Sequence, residues 1–203
     1  MTNTIIQIDD LYKAIKEATI DMRIDLARKY IIHGIPFVFL ENPDAYYEFR
    51  KKIANHFNIS YRDVYIVGSA KLGYSYKKKT KFSLNSDIDV AIVNKELFEQ
   101  YQQTICDFQY DLDNCCIQIT YKESLKYFEF LRYLSKGWLR PDKLPFKGSL
   151  ENRRNEWFDY FKTLSYGNSE VGNYKVSAGL YKDYYSLEKY IVNSFNPIGY
   201  ENK

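Results

Sequence analysis

From Asp9 to Ile32 the apolar residues Leu11, Ile15, Ile20, Ile24, Leu26 and Ile31 recur at helical spacing, so this pattern predicts a helix. Asp9 or Asp10 supplies an N-cap, and Gly34 followed by Pro36 supplies a stop. Asn42-Pro43-Asp44 reads as a turn into a second helix, which runs through Tyr47, Phe49, Ile53 and Phe57 and closes near Asn58. The period then shortens. Val64 to Val67 is a β-branched run ending at Gly68, Ile88 to Val93 is another, and both read as strands. A helix follows from Lys95 to about Phe108, and Cys115 to Tyr121 predicts a third strand. Glu123 to Leu134, Leu150 to Leu164 and Tyr174 to Phe195 read as helices, with a connection from Gly137 to Gly148 that holds Pro141 and Pro145.

This order of elements predicts an α+β fold, a small mixed sheet with helices packed around it and a helical C-terminal part. Residues 1–60 form N-terminal helices on a core at 61–125, and 126–203 form the helical remainder, all as one compact unit. The 203-residue length suits that reading, and no internal repeat or low-complexity segment interrupts it.

Composition adds three constraints. Apolar residues make up 45% and charged residues 27%, the balance of an ordinary soluble globular chain. Twenty-one Tyr, 13 Phe and two Trp give 18% aromatic content, which serves packing first and stacking or partner surfaces second. Three clustered cysteines (Cys106, Cys115, Cys116) and two isolated histidines (His33, His56) lack zinc spacing, and point to a reducing cytoplasmic setting. No secretory signal opens the chain. The longest apolar stretch, Ile31 to Leu40, is broken by His33, Gly34 and Pro36, which excludes a membrane span.

The chemistry is concentrated between Val64 and Asn94. A strand ends in Gly68-Ser69, and the next opens with Ser86-Asp87-Ile88-Asp89. Residues i and i+2 of a strand share a face, so Asp87 and Asp89 project together. Two adjacent carboxylates repel unless a cation lies between them, and rigid oxygen ligands suit Mg²⁺ or Mn²⁺. Gly68 permits close backbone approach to a phosphate, and the Ser69 hydroxyl can donate to it. These parts point to metal-assisted phosphoryl or nucleotidyl transfer. A P-loop is excluded, because Tyr74-Ser75 stands where Lys-Ser/Thr is required.

Gly68-Ser69, a variable loop and Asp87-Ile88-Asp89 between hydrophobic residues resemble the signature of the DNA polymerase β-like nucleotidyltransferase superfamily. Its members include tRNA-adding enzymes, cyclic-oligonucleotide synthases, aminoglycoside nucleotidyltransferases and small antitoxin-type transferases. The resemblance covers roughly Val64 to Tyr121. It implies a nucleotidyltransferase-type sheet on which Asp87 and Asp89 are catalytic and bind Mg²⁺ or Mn²⁺. It also implies that Gly68 and Ser69 hold the triphosphate of an NTP, with Ser86 and Lys71 as further nucleotide-binding residues. The acceptor is RNA, a protein hydroxyl, a small molecule or a second nucleotide, and bacterial defence or toxin–antitoxin modules are a setting that fits by analogy.

One departure stands out. Active members carry a third carboxylate on a later strand, and in Cys115 to Tyr121 the corresponding inward position is Gln118. An amide cannot serve as base or charged ligand. Asp111, Asp113 and Glu123 flank that stretch as substitutes. The alternative is therefore a non-catalytic nucleotidyltransferase-like module that binds nucleotide or a partner protein. Lys71, Lys77, Lys78, Lys79 and Lys81 lie between Ala70 and Ser86, outnumber the net charge of +3, and so place a basic loop beside the acidic pair. Trp138, Arg140 and Asp142 form a polar-aromatic cluster that closes over a base or tethers the later helices. Tyr181, Lys182, Arg153 and Arg154 are candidates for the cleft wall.

Overall fold

The computed structural model describes residues 8–76, 78–145 and 147–195. Its first helical stretch is divided. Helix α1 (Ile8–Glu17) stops at Ala18, and Thr19 caps α2 (Ile20–Leu26) by accepting the Met22 amide at 3.4 Å. The coil then widens into a π-type segment, Ala27–Ile32. Helix α3 (Pro43–Phe57) follows the sequence closely. Asn42 Oδ1 accepts the Ala45 amide at 3.1 Å, Pro43 sits at the first position, and Asn58 closes the helix in the left-handed region.

Strand β1 (Val64–Val67) leads into the short helix α4 (Gly68–Leu72). A small hairpin, β2 (Tyr74–Ser75) with β3 (Thr80–Lys81), connects to β4 (Ile88–Val93). Then come α5 (Lys95–Asp113), α6 (Tyr121–Leu134), β5 (Trp138–Leu139), α7 (Gly148–Thr163), β6 (Val176–Tyr181) and α8 (Tyr184–Ser194). The four-stranded sheet has the order β1-β4-β6-β5. Strands β1 and β4 are antiparallel, β4 and β6 parallel, and β6 and β5 antiparallel. The fold is mixed α/β, with helices on both faces of a small sheet.

Two expectations are corrected. Cys115 to Tyr121 is not a strand. The amides of Cys116 and Ile117 both bond back to the Asp111 carbonyl, at 2.8 and 3.3 Å, and so close α5. A capping box at Thr120 and Glu123 already begins α6, which leaves too few residues for pairing. The apolar alternation there serves packing, because Ile117 and Ile119 lie half-buried against the core. The third long strand lies instead inside Tyr174 to Phe195, where a helix was expected, so the C-terminal part is not wholly helical. Val176–Tyr181 is a short apolar run that slots beside β4, as parallel strands covered on both faces do.

The strand alternation divides the interior. Val64, Ile66, Ile88, Val90, Ile92 and Leu180 pack against α3, α5, α6 and α7, around Trp157, Phe49, Phe108 and Phe130. Val67, Ala91, Val93 and Tyr181 pack on the opposite side against Leu11, Ile15, Ile31, Leu187, Ile191 and Phe195. Both cores draw on residues from the N-terminal, middle and C-terminal parts of the chain. No helix among the described residues is long and apolar enough to cross a membrane.

Candidate functional site

Asp89 is the exposed residue of an otherwise buried strand. It shares a face with Ala91 and Val93, at the end that the helices on that side leave open. The β1–β4 register pairs it with Val67, so the chain leaves β1 directly beside its carboxylate. Gly68 therefore makes a close approach. It adopts φ +67°, and a Cβ placed there would lie 2.9 Å from Asp89 Oδ2. A side chain at this position meets both a left-handed backbone and an occupied volume. The Ser69 hydroxyl, one residue on, makes no hydrogen bond with another described residue. The fold thus brings the Gly68 turn against Asp89.

Asp87, just before β4, is exposed, with Lys175 Nζ 3.9 Å from its Oδ2. Both partners are solvated, so this contact is weak. On the other side of β4, the register sets Ser177 beside Asp89, and Ser177 Oγ donates to Asp89 Oδ1 at 3.3 Å. The group that the β4–β6 register places beside Asp89 is thus a neutral hydroxyl. Gln118 is exposed in the α5–α6 connection, where its carbonyl accepts Lys147 Nζ at 2.7 Å. The flanking acids have local tasks. Glu123 accepts the Thr120 amide at 2.7 Å, and Asp113 accepts Gln109 Nε2 at 2.8 Å. Among the described residues, no group of three or more His, Cys, Asp or Glu is placed to hold a metal. Asp87 and Asp89 are the carboxylates here whose oxygens could serve as ligands to a hard divalent cation.

In comparisons with known proteins, the chain matches no family model, no curated protein and no solved structure.

The other candidates divide. Ser86 holds the turn into β4, its hydroxyl accepting the Ser83 amide at 3.1 Å. Lys71 is buried, and its ammonium donates to the carbonyls of His33 and, at 2.8 Å, Gly34. Burial pulls its pKa down to about 8. Lys71 thus ties α4 to the 33–34 turn. Lys78, Lys79 and Lys81 are exposed along the hairpin, and Lys77 lies outside the described residues. Trp138, Arg140 and Asp142 do form a cluster. Arg140 pairs with Asp142 through contacts of 3.0 and 2.7 Å and lies over the rings of Tyr133 and Trp138. Tyr181 is buried in the sheet, Lys182 is exposed, and Arg153 and Arg154 lie over Tyr101 and Phe158.

The sequence does not reveal a set of tyrosines close to Asp89. The Tyr76 hydroxyl bonds Ser194 Oγ, and Trp138 stacks on Tyr181 at 5.9 Å. Gly179 makes room for that indole, since a Cβ there would lie 2.8 Å from Trp138 Nε1. Burial first, then the charges of Tyr190 and Asp89, push Tyr76 up to about 12 and hold Tyr181 far above the usual phenol range. These phenols stay neutral hydrogen-bonding groups near the carboxylate. Ser177 was hidden because the run VSAGLY was absorbed into a predicted helix. Asp183, which caps α8 by accepting the Ser186 amide at 2.8 Å, was the signal that a new element starts after it.

Proposed function

We propose that the corner formed by Gly68, Ser69, Asp87 and Asp89 binds a nucleoside triphosphate with Mg²⁺ or Mn²⁺ and transfers its nucleoside monophosphate to an acceptor. The observation that carries this reading is the absence of a side chain at Gly68, which lets the β1–α4 turn lie against Asp89 Oδ2. A turn able to admit phosphate thereby lies against Asp89, which with Asp87 could hold a phosphate-bound cation. In the reaction, an acceptor oxygen forms a bond to the α-phosphorus, the bond to the bridging oxygen breaks, and pyrophosphate leaves. The cation supplies charge neutralisation on the phosphates. Asp87 and Asp89 hold and orient it, Gly68 and Ser69 position the triphosphate, and the exposed lysines of the hairpin add positive charge beside it.

Ser177 favours a second reading, a nucleotide-binding module without turnover. It occupies the strand position next to Asp89 and has no charge to contribute. Titration calorimetry with each NTP and Mg²⁺, run alongside a pyrophosphate-release assay, separates the two. Binding and release that both vanish in Asp87→Asn and Asp89→Asn variants support transfer. Binding without release supports the module, and Ser177→Asp then gains turnover. Absence of Mg²⁺-dependent NTP binding in the folded protein refutes both.

A further inference from the structure

We infer that the outward face of α6 is a docking surface for an acidic amphipathic helix of another protein. Tyr121, Leu125 and Phe128 are 79%, 51% and 61% exposed, and their spacing of four and three residues sets them on one side of the helix. Tyr127 and Phe130 are buried on the opposite side. The helix is therefore apolar on two faces, of which the core covers one. Its acidic side chains are engaged within the chain. Glu123 closes the capping box with Thr120 and lies 3.5 Å from Lys147, while Glu129 accepts Lys143 at 2.9 Å. Lys122, Lys126 and Arg132 are exposed and make no ion pair among the described residues. Arg132 lies along the apolar stripe and Lys122 beside it, with Lys126 further round the helix, so the stripe is edged by positive charge that no acid of the described residues pairs.

That border selects the occupant. A second copy docked through the same face would set lysines and arginine against their own kind, at an electrostatic cost. A helix with apolar residues at matching spacing and Asp or Glu beside them meets both features. The aromatic pair gives it anchors, and the cations set its register and speed encounter.

The test uses the full chain and a labelled synthetic helical peptide with Leu and Phe at i, i+4 and i+7, flanked by Glu. Fluorescence polarisation should show saturable binding that weakens with salt and falls by about tenfold or more in the Leu125→Asp/Phe128→Asp double variant. The variant should melt as the wild type does, because these side chains are exposed. The inference is overturned by any of three results. The peptide fails to bind, binds the double variant equally, or binds no better than a counterpart with Lys in place of Glu. It is also overturned if the face proves to be a self-association surface by sedimentation, or if the chain ignores the peptide and binds phosphatidylserine vesicles.

Discussion

Replacing Gly68 by alanine would set a methyl carbon 2.9 Å from Asp89 Oδ2 on a backbone held at φ +67°. The backbone term alone costs about 1–2 kcal/mol, and the carboxylate must also move. We expect Gly68→Ala to lower the melting temperature and to abolish Mg²⁺-dependent NTP binding in calorimetry. A variant that binds as the wild type does would separate Gly68 from the site. Lys71 gives a different test. Its folded pKa lies near 8 against an ordinary value of 10.5, so between these values the unfolded chain binds the extra proton. Stability therefore rises with pH across that window, by at most about 3 kcal/mol. Denaturant melts at pH 8 and pH 10.5 should show this gain in the wild type relative to Lys71→Met, and a gap that does not change would refute the assignment. In the sequence Lys71 is one cation of a basic loop. Its burial follows from the carbonyls of residues 33 and 34, whose approach the local pattern does not encode.

At the level of elements, helix α6 depends on its cap. The Thr120 hydroxyl accepts the Glu123 amide at 3.3 Å, and the Thr120 amide donates back to Glu123 at 2.7 Å. Thr120→Ala should cost about 1 kcal/mol, read as a lower denaturation midpoint with an unchanged slope. A midpoint unaltered by the substitution would mean that packing alone fixes the start of α6. Elements with such local signals were legible. Asn42 with Pro43 fixed the start of α3, and both predicted strands that carry the motif appear with their expected bounds. The two segments that differ from their patterns do so for different reasons, one local and one tertiary. Ile117 and Ile119 alternate like a strand, but their neighbours' amides are taken by the end of α5. The VSAGLY run lacks alternation, and β4 beside it makes it a strand.

At the scale of the molecule, β6 joins the two cores and lines the site. It gives Leu180 to one core, Tyr181 to the other, and Ser177 to Asp89. A chain ending at Lys175 would lose this strand and α8, leaving β4 with an open edge and the cover of Leu187, Ile191 and Phe195 missing. We expect that fragment to show no cooperative thermal transition by circular dichroism. A sharp melt near that of the full chain would mean that the motif-bearing segment folds without its C-terminal partner.

The sequence by itself determined the two strands, Val64–Val67 and Ile88–Val93, that border the proposed site. Gly68 and Ser69 end one strand and Asp87 and Asp89 open the next, because strand alternation and glycine's conformational freedom are local properties. Tertiary structure alone decided what stands across from the acidic pair. Ser177 lies 88 residues from Asp89 in the chain and reaches it through a parallel pairing after a long crossover. Such a register is set by the packing of both sheet faces at once, which no short-range pattern contains.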